Sequence, residues 1–168
     1  MTWSFEFEDQ EYFAGYRVLS SNGLDLPVMN VFRMFSIMPD RRLQATSSGE
    51  LALDKIMADG VRGDPDVGVL ASRSADRIAV LVWHYHDTDK AGPDAAVSLD
   101  LTHLPADFQG GKIRHYRIDA EHSNSYDAWR RIGSPRAPSR EQYASLQAAA
   151  ALAEIGSPET ITAAAGTG

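Results

Sequence analysis

Four side chains within the first nine residues have the types and spacing to hold a sugar: Trp3, Glu6, Glu8 and Asp9. Trp3, Phe5 and Phe7 alternate strictly with Ser4, Glu6 and Glu8, the period-two pattern of a strand whose polar side faces something other than a core. Indole stacks on the apolar C–H face of a pyranose and carboxylates accept from its hydroxyls, so an aromatic plate beside acids reads as carbohydrate contact. The plainer alternative is an exposed amphipathic strand. Glu6 and Glu8 stand roughly 6.5 to 7 Å apart along one strand face, within reach of the carboxyl separation of a retaining glycosidase. They approach from the same side, however, whereas that chemistry needs groups on opposite sides of the anomeric carbon. Hydrogen bonding to hydroxyls is the better role for Glu8, and no catalytic residue is assigned within the chain.

Two other constellations are weaker. His84 and His86 share a strand face and, with Asp87, His115 or His122, would supply two histidines and a carboxylate. They close an apolar strand beside Asp87 and Asp89, where polar residues leading into a turn are expected, so no metal is assigned. In His122-Ser123-Asn124 adjacent residues cannot take the mutual geometry of a nucleophilic triad, and the run reads as the start of a helix. Trp83, Tyr85, Tyr116, Tyr126 and Trp129 read as core or domain interface before ligand platform.

The elements that must position these groups follow from the pattern. Residues 9 to 24 form a loop with Asn22-Gly23 as its turn. Asp25 is the expected N-cap of a helix over 26–38, with Pro27 in its first turn, Val28, Val31, Phe32 and Phe35 at helical spacing, and Pro39 ending it. Strand, loop and helix make one βα unit, in which functional groups gather at the strand's C-terminal end, where Glu8 and Asp9 stand. From residue 40 on, short apolar runs between Gly, Pro and Asp clusters predict antiparallel strands at 42–47, 67–72, 78–85, 95–101 and 112–118, the spacing of a whole or partial β-sandwich. Two helices are expected at 126–132 and 140–153, with Ser139 and Gln142 forming a capping box on the second. The fold class is therefore α+β, with residues 1–40 as one segment and 41–168 as the other.

Composition bounds the partners. The chain has 168 residues, 43 % of them hydrophobic, enough for a buried core, and a net charge of −7 argues against a phosphate-backbone partner. No stretch approaches the roughly 18 apolar residues of a membrane span, and no signal sequence opens the chain, so a soluble protein is expected, with the cytoplasm favoured. With no cysteine, thiolate chemistry is excluded. The opening strand has no preceding cap and the end lacks a closing hydrophobic element, so truncation at both termini is expected.

The blocks Thr2 to Gln10, Tyr12 to Arg17, Pro27 to Phe35, Val80 to Asp87, and His115 to Asp119 with His122 to Tyr126, Trp129 and Gly133-Ser134-Pro135 resemble, in order, glycoside hydrolase family 39, the β-xylosidases. The resemblance implies a C-terminal piece of a retaining β-xylosidase: the terminal βα unit of a TIM (β/α)8 barrel over 1–40, then an accessory antiparallel β-sandwich with two added helices over 41–168. It implies that Trp3 floors the sugar site and that Glu8 and Asp9 bind xylose hydroxyls. The family's acid/base lies in an Asn-Glu-Pro segment and its nucleophile in a Thr-Glu-Trp segment, and this sequence contains neither. The expected partners are a xylo-oligosaccharide or other small β-glycoside and the missing N-terminal barrel portion, with no cofactor, nucleic acid or membrane. The alternative is a non-catalytic sandwich module that binds glycan or a partner barrel.

Overall fold

The computed structural model describes residues 12–13, 18–88, 94–104 and 108–162. In chain order its elements are β1 (Ser20–Ser21), β2 (Leu24–Asp25), α1 (Pro27–Ile37), β3 (Arg41–Leu43), α2 (Leu53–Asp59), β4 (Asp66–Arg73), β5 (Ile78–Tyr85), β6 (Gly110–Ile113), β7 (Tyr116–Arg117), α3 (Ser125–Arg131), α4 (Arg140–Ala150), β8 (Ala153–Glu154) and β9 (Glu159–Thr162). The described residues are α+β, with antiparallel sheets of two, three, two and two strands among them. It divides into two compact units. One takes the described residues up to Ser36 and those from Leu104 on, and the other runs from Ile37 to His103. These units cut the chain differently from the sequence pattern, because the later helices return to the first hairpin and α1.

In the first unit β1 and β2 pair Ser20 with Asp25 and Ser21 with Leu24, leaving Asn22 and Gly23 as a two-residue loop. Both take positive φ, 51° and 75°, the requirement that makes Asn-Gly the favoured hairpin turn. Asp25 is not the cap of α1: it lies in β2, and its carboxylate receives Arg33 instead. The helix also presents a different face from the expected one. Asn30 is wholly buried, while Phe32 and Phe35 are 53 % and 47 % exposed, because the inward face carries the polar group that two buried carbonyls need. The core gathers Phe13, Leu24, Leu26, Trp129 and Leu146, with Tyr12, Val18, Tyr126, Ala128 and Tyr143 packed around it. Helix α4 begins with the expected capping box: Ser139 Oγ accepts from Gln142 N, and Gln142 accepts from Ser139 N at 2.8 Å. It ends at Ala150, three residues early, since Ala151 turns extended with ψ 147° and leads into β8.

In the second unit β3, β4 and β5 form an antiparallel sheet in that order. The long hairpin of β4 and β5 matches Asp66 to Tyr85 at one end and Arg73 to Ile78 at the other. Helix α2, ended by Gly60 at φ 69°, arises in a stretch without a clear helical stripe and was not anticipated. Three strand expectations need correction. The strand expected over 42–47 is β3 alone, Arg41–Leu43, whose partners on β4 are Arg73, Ser72 and Ala71. Residues 94–101 form no strand, and Val97, Leu99 and Leu101 stay exposed, because the alternating pattern found no partner ladder. The expected strand over 112–118 is split in two, β6 pairing with β9 and β7 with β8, strands that the C-terminal sequence did not announce.

Candidate functional site

Trp3, Glu6, Glu8 and Asp9 lie outside the described residues, and the described residues that follow them first are Tyr12 and Phe13. The carbonyl of Tyr12 accepts from Ser21 Oγ at 3.1 Å and from the Asn22 amide. Phe13 is buried, its ring edge-on to Trp129 with centroids 5.3 Å apart at 71°, and in contact with Tyr126 at 6.1 Å and 76°. Such pairs add about 0.5 to 1.5 kcal/mol each beyond the area they bury.

The run His122-Ser123-Asn124 is the centre of a polar hub. Ser123, at φ 54°, donates from Oγ to Arg117 O at 2.6 Å and accepts from Ala153 N at 2.8 Å. Its hydroxyl is thus committed to backbone on both sides and is not poised as a nucleophile. The Ser123 carbonyl and that of Ala150 both accept from Asn30 Nδ2 at 2.9 Å, and Asn30 Oδ1 accepts from Arg33 at 2.9 Å. Arg33 continues to Asp25 at 2.5 Å, and the Asp25 carbonyl accepts from Ser125 Oγ at 2.6 Å. Asn124 caps α3 by accepting from Asp127 N at 3.0 Å. Sequence spacing pointed to the helix start but not to the hub, whose one signal is a lone Asn30 amid the apolar residues of α1.

Beside Asp25 and Arg33 opens a cavity of about 350 Å³, lined also by Gly23, Leu24, Gln147 and Leu152. Its charges satisfy each other, so it offers no free ion to a ligand.

The profile described as Glycosyl hydrolases family 39 matches residues 3–165. The chain belongs to this family. Membership places it among the glycoside hydrolases, and the matched span takes in Trp3, Glu6, Glu8 and Asp9 at one end and the hub at the other.

The remaining family 39 residues singled out by sequence sort by what they touch. His86 accepts at Nδ1 from Thr88 N at 3.1 Å, which makes Nε2 the protonated nitrogen that donates to Gly63 O at 3.0 Å. His122 binds Asp119 through Nδ1 at 2.8 Å. Among the described residues no three of His, Asp and Glu come together as metal ligands. Nor, among them, is any helix long and apolar enough to cross a membrane. Trp129 is core, Tyr126 packs at its edge, and Trp83 and Tyr85 on β5 are exposed.

Asp119 organises the turn into α3. One oxygen accepts from Glu121 N, His122 N and His122 Nδ1, each at 2.8 Å, and the other meets Arg117 Nε at 2.6 Å. Burial pushes its acidity down, but the hydrogen bonds from Glu121 and His122 together outweigh it and hold the carboxyl below the usual carboxylate range. A folded-state pKa below the unfolded value stabilises above the ordinary Asp range, and that contribution is lost as pH falls through the folded value. Asp119→Asn is therefore expected to be less stable than the parent at neutral pH. Urea midpoints at descending pH check this: the gap should narrow below about pH 4, the ordinary range of an Asp carboxyl.

Proposed function

We propose that this chain is the sugar-gripping part of a retaining β-xylosidase that removes terminal β-xylosyl residues from xylo-oligosaccharides in the cytoplasm. In this reading residues 1–40 close a TIM barrel and residues 41–168 form most of an accessory β-sandwich. Trp3 is the floor under the pentose, and Glu8, with Asp9 and Glu6 beside it, accepts hydrogen bonds from its hydroxyls. The supporting observation is that the family match begins at residue 3 and includes all four side chains. Hydrogen bonds to hydroxyls strengthen as the ring flattens toward the oxocarbenium-like transition state, so Glu8 serves rate as well as binding. Two carboxyl groups suffice for cleavage, with no metal or organic cofactor. Neither the Asn-Glu-Pro nor the Thr-Glu-Trp segment occurs in the sequence, so both carboxyls come from a barrel portion outside it.

A chromogenic β-xyloside tests this. The 168-residue chain alone should not turn it over, and the chain joined to a family 39 barrel portion carrying the two glutamates should. In the joined protein Glu8→Gln is expected to lower kcat/KM by about 100-fold, the scale of one hydrogen bond to a charged group of about 1.5 to 3 kcal/mol. Turnover by the chain alone, or an unaffected Glu8→Gln enzyme, rejects the reading.

A further inference from the structure

The register of β4 and β5 sets Gly68 opposite Trp83 and Asp66 opposite Tyr85, so these four residues share one face of the sheet. The indole of Trp83 lies across Gly68, its Cε2, Cζ2 and Nε1 taking the space that a Cβ at position 68 would need. Its Nε1 donates to Asp66 Oδ2 at 2.7 Å, and Asp66 Oδ1 accepts from Leu51 N at 2.9 Å. Asp66 is buried. The ring is therefore seated on backbone and pinned at its edge, yet Trp83 remains 36 % exposed. Two residues on, Tyr85 is 51 % exposed and its hydroxyl donates to Asp87 Oδ1 at 3.0 Å. Asp87 Oδ2 accepts from Val61 N at 2.8 Å and lies 4.0 Å from Arg62 Nε. Burying a carboxylate is costly, and here it fixes the orientation of a surface ring, which a ring that merely fills space does not require.

We propose that Trp83 and Tyr85 form a platform for a linear, neutral, β-linked oligosaccharide, with Asp87 and Arg62 meeting hydroxyls at its end. Two rings two residues apart on a strand are spaced roughly 6.6 to 6.8 Å, so they can meet neighbouring sugars of one chain. Indole and phenol faces suit pyranose C–H faces, and a carboxylate beside a guanidinium supplies an acceptor and a donor to hydroxyls. A single-stranded nucleic acid also stacks on aromatics, but it needs a positive groove. This chain carries −7, and among the described residues Arg62 is the cation beside Asp87. The neutral polymer is the occupant that the charge fits. The platform uses neither Trp3 nor Glu8 and holds whether or not the xylosidase reading does.

Isothermal titration of the 168-residue chain with xylohexaose and cellohexaose tests it. Saturable binding to at least one is expected, and Trp83→Ala should weaken it about ten-fold or more, equivalent to roughly 1.4 kcal/mol. Tyr85→Ala should weaken it in the same direction with an unaltered far-UV spectrum, and decides the matter if Trp83→Ala does not fold. Trp83→Phe, which keeps a ring without the bond to Asp66, should fall between parent and alanine. Phe32→Ala, which removes an exposed ring on α1, should bind as the parent does. Absence of saturable binding, parental affinity in folded Tyr85→Ala, or an equal loss of binding in Phe32→Ala overturns the platform.

Discussion

Trp129→Ala is expected to destabilise the first unit by about 3 to 5 kcal/mol, the range for removing a buried large aromatic. The indole touches both ends of the chain's logic. It packs edge-on to Phe13 at 5.3 Å and tilted against Tyr126 at 5.8 Å, and its Nε1 donates to Pro135 O at 2.9 Å. Alanine removes the ring contacts, leaves the Pro135 carbonyl without that donor, and opens a space that Leu146 and Leu24 cannot fill without moving. A loss of this size is a large share of a stability of roughly 5 to 15 kcal/mol. Urea denaturation followed by far-UV dichroism measures it. Trp129→Phe, which keeps a ring for Phe13 but not the bond to Pro135, should recover more than half of the loss.

What the sequence disclosed depended on how far apart the interacting residues stand. Local signals were legible. Asn22-Gly23 forms the hairpin turn, Ser139 and Gln142 form the capping box, Pro27 opens α1, and the apolar run Ile78 to Tyr85 is a strand over the same residues. Each is set by neighbours within a few positions, where propensity and backbone geometry act directly. Pairings across long loops were not legible. Nothing in Glu159–Thr162 announces that it pairs with Gly110–Ile113, and the apolar alternation at 95–101, as regular as that of real strands, finds no ladder. The orientation of α1 was misjudged for a related reason. Periodicity identifies an apolar stripe, but the face that turns inward is decided by carbonyls 93 and 120 residues away. Of the candidate sugar site, residue types were readable while coordinates for Trp3, Glu6, Glu8 and Asp9 fall outside the described residues. The rigidity of Trp83, by contrast, was invisible in sequence, since it depends on Asp66 meeting it across the hairpin.

Asn30→Ala is expected to cost about 3 kcal/mol, more than most core alanine replacements of a side chain this small, because its loss is counted in buried carbonyls. Its amide satisfies Ser123 O and Ala150 O, and its Oδ1 holds Arg33 toward Asp25. Removing the donor exposes two buried acceptors to a penalty of roughly 1 to 3 kcal/mol each, partly relieved if water enters from the cavity beside Arg33. Asn30→Asp separates donor loss from volume loss. The carboxylate still accepts from Arg33, but it turns an oxygen toward carbonyls that the amide had supplied with hydrogens, so it should be at least as destabilising as alanine at neutral pH. Protonation restores one donor, and the Asp variant should therefore regain stability relative to alanine as pH falls, the sign expected of a buried carboxyl whose pKa is raised. Thermal unfolding of both variants at neutral and acidic pH measures the difference. An Asp variant that keeps a constant offset from alanine across that range would show that the amide hydrogens are not what binds α1 to the segments around Ser123 and Ala150.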